Sequence, residues 1–397
     1  MVKEIREKYN AAFTQEAYQE LLADLNRQLE EPISFRVAET PVFLTQDFKD
    51  KLIAAGDDLV NAVLSKDFKE LTEKSIPVEW NTSHENERPH FLTFDFAVCQ
   101  NESGEMVPQL IELQGFPSLY GFQSELAEKY KKHFQVTSHL TPYFQSQDQK
   151  EYFDLLRRTI VGHHQPHEVV LLDINAREQK TAVDFYITAR HIGIEIVSLD
   201  ELRQKGDQIY FIKDGEEKPV KRIYNRLIFD EIENKEEALK HVPDLLRTDT
   251  IEWVTHPNWF YRISKYTMPF LESEFVPETR FLSEIETLPT DLTDYVLKPL
   301  FSFAGQGVII DVTEEDIQAV KDPENWVLQK KVDYEPIIQS PDGLVKCEVR
   351  LMYLWPEEDK TPTLAINLAR LSRGKMIGVR YNCNFDWVGG SVCLFES

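Results

Sequence analysis

The 397-residue chain carries 44 Lys and Arg against 68 Asp and Glu, a formal net charge of -24. That excess argues against nonspecific nucleic-acid binding and docking on anionic membranes, and an anionic substrate would need a local basic pocket or a divalent metal. Cys99, Cys347, Cys383 and Cys393 form no close CxxC pair, the start MVKEIREKYNAAF lacks a signal-peptide core, and no run approaches transmembrane length. A cytoplasmic chain with reduced thiols, long enough for two or three domains, is the expectation.

Residues 1 to about 75 read mainly as helices. Apolar positions three or four apart run from Ala17 to Leu22 and on through ADLNRQLEE, and Leu59 to Phe68 suggests another helix. Pro32 and Pro41 interrupt the region and place TPVFL near a short strand or turn. A packing and lid-supporting layer is expected here.

The period changes between residues 90 and 115. HFLTFDFAVCQ alternates as a strand does, NESGE supplies a turn and MVPQLIELQ resumes, which predicts a strand pair. Asp95 and Glu112 each interrupt an otherwise hydrophobic strand. FPSLYGFQSELAEKYKKHF then leads into an amphipathic helix. GHHQPH gathers His163, His164 and His167 but lacks a helix-defined zinc pattern, so it reads as a polar loop.

From Val169 the order is strand, helix, strand, with a hairpin around QIYFIKDGEEKPVKRIYN, predicting a small parallel sheet covered by helices. Asp173 ends the first strand, where it either faces a crevice or caps the following turn. Arg222 and Arg226 read either as ligand-facing or as exposed arginines on a strand and its adjoining loop. DEIENKEE reads as an exposed acidic turn.

The region from about 250 has a third character. WVTHPNWFYRISKYTMPFL predicts a loop and helix, and VPETRFLSEIE leads to YVLKPLFSFAGQGVII. There Lys298 sits at a strand end, Gly305, Gln306 and Gly307 form a flexible loop, and Val308 to Ile310 resume an extended run. Such a turn can close over nucleotide phosphates while Lys298 presents a compact positive charge. It is neither a P-loop nor a dinucleotide fingerprint. WVLQKKV, CEVRLMYLW, PTLAINLARLS and KMIGVR read as further strands of a nucleotide-covering sheet. Trp253, Trp259, Phe260, Tyr261, Phe301, Phe303 and Trp387 either line pockets or build ordinary cores. Gly389 and Gly390 either turn near a ligand or end a hairpin.

These segments together resemble the circularly permuted ATP-grasp family, in particular the group related to the synthetase domain of glutathionylspermidine synthase. Lys265 in RISKYTMPFL resembles the family's first nucleotide-contacting lysine, and Lys298 its strand lysine before the phosphate-covering loop. QKKV occupies the hinge between nucleotide-binding lobes, with Gln329 and Lys330 as adenine contacts. Arg350 in EVR resembles an active-site strand residue. FDFAVCQ resembles the metal-binding DF segment, giving Asp95, and IELQGFPSL the Glu-x-Asn segment, giving Glu112 and Gln114. Gln114 departs from the family's Asn, and Thr93 stands where relatives often place an arginine; Arg88 takes no secure part. Arg370 is the family-like candidate for stabilising an acyl phosphate, with Asn367, Arg373 and Asn384 flagged behind it.

The resemblance implies an α/β (α+β) chain with an ATP-grasp core in permuted order, a pre-ATP-grasp-like βαβ domain and N-terminal helices. The units would be 1–75, 76–150 with the metal motif, 151–250, and 251–397 with the nucleotide-binding lobes. It implies ATP and Mg2+, the latter on the hard oxygens of Asp95, Glu112 and Gln114. The implied activity is an ADP-forming ligase joining a small-molecule or peptide carboxylate to an amine. A catalytically impaired ATP-binding regulator and an ATP-dependent kinase are the alternatives.

Overall fold

The computed structural model describes residues 1–27, 29, 32–116, 118–228, 245, 248–302, 305–374, 377, 382 and 384–396. The chain is a mixed α/β protein organised around three larger sheets. KMIGVR, DEIENKEE, Phe303 and Cys383 lie wholly or mostly outside the described residues.

An antiparallel sheet dominates. Its strands run in the order Gly389–Ser391, Thr363–Ser372, Gly343–Leu354, Phe91–Gln100, Met106–Gln114, with Ile338–Ser340 paired to Gly343–Leu354. An early hairpin is thus stitched to late strands. Alternation along Phe91–Gln100 sends Phe94 and Phe96 to one face and Thr93 and Asp95 to the other. On the apolar face Phe94 stands opposite Leu351, in one core with Leu52 and Leu59 of the helix Gln46–Val63. That helix comes so close that a Cβ on Gly56 would lie 2.0 Å from the Tyr353 hydroxyl. The helical layer therefore backs this sheet and leaves its polar face for chemistry.

Two details differ from the sequence reading. The helix expected from Leu59 to Phe68 instead spans Gln46–Val63, capped by the Thr45 hydroxyl, and a separate turn Phe68–Leu71 follows. Phe68 leaves the helix line because its ring stacks against Trp259, 6.3 Å between centroids. Arg222 and Arg226, for which exposure was one expectation, are both buried. TPVFL does hold a short strand, Val42–Phe43, parallel to Cys393–Leu394.

The middle of the chain forms a parallel sheet in the order Glu252–Val254, Arg222–Asn225, Val169–Asp173, Glu195–Ser198. Its hairpin, Gln208–Lys213 with Glu216–Val220, turns at Asp214 and Gly215, both at positive φ (53° and 78°), the backbone that a two-residue hairpin loop demands. A smaller antiparallel sheet orders Thr279–Phe281, Trp326–Lys330, Tyr295–Pro299, Ile309–Ile310 around Leu282, Leu297 and Leu328. Among the described residues no helix is long and apolar enough to cross a membrane.

Candidate functional site

The polar face of the large sheet collects charge by strand register. Asp95 pairs directly across from Arg350 on one side and Glu112 on the other, while Glu348 lies opposite Arg370. Arg350 grips Asp95 bidentately through Nε and Nη2, the latter 2.6 Å from Oδ2. Arg370 Nη2 donates to the same Oδ2 and lies 2.5 Å from Glu348 Oε1. Tyr334 donates its hydroxyl proton to Glu348 Oε2 at 2.9 Å. Gln114 Nε2 donates to Glu112 Oε1 at 3.0 Å, so the amide oxygen of Gln114 is the end that Glu112 does not use.

Two buried lysines lie beside this cluster. Lys298, at the end of Tyr295–Pro299, donates from Nζ to the Ile111 carbonyl at 3.1 Å, which brings its ammonium beside the Glu112 strand. Lys265 opens a 3-10 turn, Lys265–Phe270, and donates to the Ser302 carbonyl at 3.0 Å. A tight contact makes this meeting possible. A Cβ on Gly115 would sit 2.5 Å from the Trp259 carbonyl, and Gly115 N–H bonds the Ile263 carbonyl at 3.0 Å. Only glycine lets the end of the Glu112 strand press so closely on the segment preceding Lys265.

Burial sets the protonation balance. It pushes Lys298 down to about 8, against the pull of Glu112, and also lowers Lys265. Burial pushes Glu348 up to about 7, with Arg370 resisting and Asp95 and Glu112 adding to the rise. Asp95 would be raised by its burial, but Arg350 and then Arg370 hold it below the usual carboxylate range. Four cationic side chains thus face three carboxylates, leaving a local positive excess on a strongly acidic protein. An anionic ligand is suited to such a spot.

Gly305 and Gly307 sit at φ 72° and 74°, and a Cβ on Gly307 would lie 3.0 Å from Pro299 Cγ. The loop therefore folds back over the end of the Lys298 strand, with Gln306 exposed at its tip. Gln329 is buried with its amide donating to Met268 Sδ, in the turn that Lys265 begins. Lys330 points the other way, its Nζ 5.9 Å from the Tyr295 ring centroid, and its backbone N–H is taken by the Glu278 carbonyl. Asn367 is tied to the carbonyls of Pro142 and Cys393, Arg373 to Ser340, and Arg88 to the carbonyl of Asp359. Asp173 accepts from Ile174 N–H and Gln179, which is the turn-capping arrangement.

Arg226, for which the sequence left ligand-facing and exposed readings open, is buried. It follows Arg222–Asn225 at the C-terminal edge of the parallel sheet, where open α/β sheets place ligands. The side chain is sandwiched between Phe116 and Phe185, 4.5 and 5.3 Å from the ring centroids. Its Nε and Nη1 are buried and meet no hydrogen-bond partner among the described residues. The buried Asp184 carboxylate acts on this guanidinium electrostatically but gives these two groups no hydrogen bond among the described residues, and buried donors in that state favour an anionic partner. Phe116, whose ring Arg226 covers, lies two residues past Gln114 in the chain. Glu348 and Tyr334 are further members of the charge cluster that strand patterning missed; a Glu two residues before Arg350 on one strand was the available signal, because such residues share a face.

Sequence comparison matches no protein-family model and no curated protein. Among solved structures, the apo form of a glutathione synthetase-like effector from Globodera pallida superposes with a TM-score of 0.58 at 11% identity, covering 99% of this chain and 97% of that one. At such identity the likeness is one of architecture, and it extends over nearly the whole length of this mixed α/β chain.

Proposed function

We propose that the chain is an ATP-dependent, ADP-forming ligase with a circularly permuted ATP-grasp core, joining a carboxylate to an amine through an acyl phosphate. The observation that carries this reading is that buried Lys298 donates to the Ile111 carbonyl on the Glu112 strand while buried Lys265, held by Ser302, lies near enough for Glu112 to act on its ammonium. Buried lysines without a carboxylate in direct contact are poised for a ligand's negative charge.

In this reading Lys265 and Lys298 hold the triphosphate beneath the Gly305–Gly307 loop. Arg226 anchors the substrate by an anionic group, most simply a carboxylate distal to the reacting one, because a planar guanidinium between two rings presents its edge to a planar anion. The reacting carboxylate oxygen attacks the terminal phosphorus, the bond to the β-phosphate oxygen breaks, and ADP leaves. The amine then attacks the acyl carbon, the carbon–oxygen bond to phosphorus breaks, and inorganic phosphate departs with the amine's proton lost to solvent. Arg350 and Arg370 stabilise the charge on the transferring group.

The donor set fits a magnesium ion in part. Glu112 is partly open and Gln114 offers its amide oxygen, whereas both Asp95 oxygens are already engaged by guanidinium groups. Glu112 and Gln114 would hold the ion with the nucleotide's own oxygens, and Asp95 would act chiefly by fixing Arg350 and Arg370. When bound, Mg2+ supplies charge neutralisation on the phosphates. The engagement of Asp95 also motivates a second reading, a nucleotide-binding regulator without turnover.

A screen of paired acids and amines, reading ADP and phosphate, separates these ideas. Ligation requires ADP release dependent on both partners and lost in Lys298→Met. Release that needs only one hydroxylated or carboxylated substrate, with the phosphorylated product retained, would indicate a kinase. Tight ATP binding with no turnover across the panel would sink the ligase reading.

A further inference from the structure

A second cluster lies at the opposite edge of the parallel sheet and has no part in that chemistry. We propose that His163, His164 and Glu252 form a Zn2+ site that staples the turn after the helix Gln149–Val161 to the strand Glu252–Val254. Gly162 (φ 58°) ends the helix, and a Cβ there would lie 3.0 Å from the Arg222 guanidinium, so the two histidines are held against the start of the sheet. Glu252 arrives from the neighbouring strand, in register with Arg222.

The spacing is that of ligands around a small ion. His164 Nε2 lies 3.1 Å from Glu252 Oε2, His163 Nε2 lies 3.5 Å from Oε1, and the three ligand atoms all fall within 4.8 Å of one another. Tetrahedral zinc with bonds near 2.0 to 2.1 Å sets its ligand atoms about 3.3 Å apart. A hydrogen bond does not account for the closest pair. His164 Nε2 is buried and makes none, although the carboxylate is within reach.

The surroundings support a dication. Arg222 Nη1 donates to Glu252 Oε2 at 2.7 Å and lies 2.9 Å from Glu357, which orients the ligand and offsets the arginine's charge. Glu168 Oε2 stands 3.9 Å from the other nitrogen of His164, where a carboxylate can support a metal-bound imidazole. Glu168, Glu252 and Glu357 against Arg222 and Lys221 leave one net negative charge. Two imidazoles favour zinc over magnesium or calcium. The site lies roughly 13 Å along one strand from Arg226, so it stands or falls separately from the ligase reading.

Calorimetric titration of the untagged, chelator-stripped full chain with ZnCl2 tests the site. One equivalent is expected to bind and raise the thermal midpoint, MgCl2 is expected to do neither, and Co2+ is expected to give the visible absorption of a tetrahedral centre. His163 is largely exposed, so His163→Ala should fold normally yet weaken zinc about tenfold or more, as should His164→Ala. Absence of saturable zinc binding, or equal affinity in both alanine variants and the parent, would overturn the assignment.

Discussion

Lys298 offers a prediction whose size follows from its surroundings. Burial lowers it from an ordinary value of 10.5 to about 8. The sign follows directly. An ammonium depressed in the folded state costs stability fully below about pH 8, and that cost of about 3 kcal/mol fades as pH rises towards 10.5. A bound triphosphate would offset the same cost by supplying the missing negative charge. If only the protonated form binds, apparent Kd scales as one plus the ratio of neutral to charged lysine, which gives about an eightfold weakening between about pH 7.5 and about pH 9. The assay is equilibrium binding of a non-hydrolysable ATP analogue across that range, with the Lys298→Met profile subtracting any titration of the analogue itself. Lys298→Arg keeps its proton throughout and should bind with little pH dependence. Lys298→Met should bind weakly at every pH. Its unliganded form should be no less stable than the parent below about pH 8, since removing the desolvated charge competes with leaving the Ile111 carbonyl unpaired, worth about 1 to 3 kcal/mol. A flat profile in the parent, or the same slope in Lys298→Met, would refute the reasoning.

Other consequences follow from the neighbouring groups. Asp95→Asn leaves the buried Arg350 guanidinium poorly paired, while half-buried Arg370 keeps Glu348, and should cost about 3 to 5 kcal/mol in denaturation, whereas Glu112→Gln should cost little stability but weaken Mg2+ dependence about tenfold in turnover or Mn2+ titration; the reverse ranking would exchange their roles. Glu348, lifted to about 7 from 4.5, contributes stability that is complete below about pH 4.5 and lost as pH rises through about 7. Melting curves of Glu348→Gln should lack that decline, and an unchanged pH dependence would show that Glu348 is not its source. Arg226→Ala should raise KM for the carboxylate substrate while leaving nucleotide affinity within about twofold, since its guanidinium faces Phe116 and Phe185 rather than the lysines. Gly389→Ala should destabilise by about 2 kcal/mol or more, because φ is 121° and the new Cβ would meet the Arg36 carbonyl at 2.5 Å; Gly390→Ala, with 3.7 Å of room, is the matched control.

Local pattern alone determined much of this protein. The hairpin around NESGE, the βαβ unit from Val169, the Asp-Gly turn and the Lys298 strand with its glycine loop all follow from periods of two or 3.6 and from turn chemistry, which near neighbours in the chain decide. Strand partnership does not follow in that way. The pairing of Asp95 with Arg350 spans 255 positions, and only the folded sheet turns an isolated acid on a hydrophobic strand into the centre of an arginine pair. The same holds for Arg226, whose burial depends on Phe116 and Phe185 closing around it, and for His163 and His164, which as a peptide are a polar loop until Glu252 arrives. Backbone preference is written over a few residues, whereas burial, register and charge compensation depend on which distant segments share a surface, and that only tertiary packing decides.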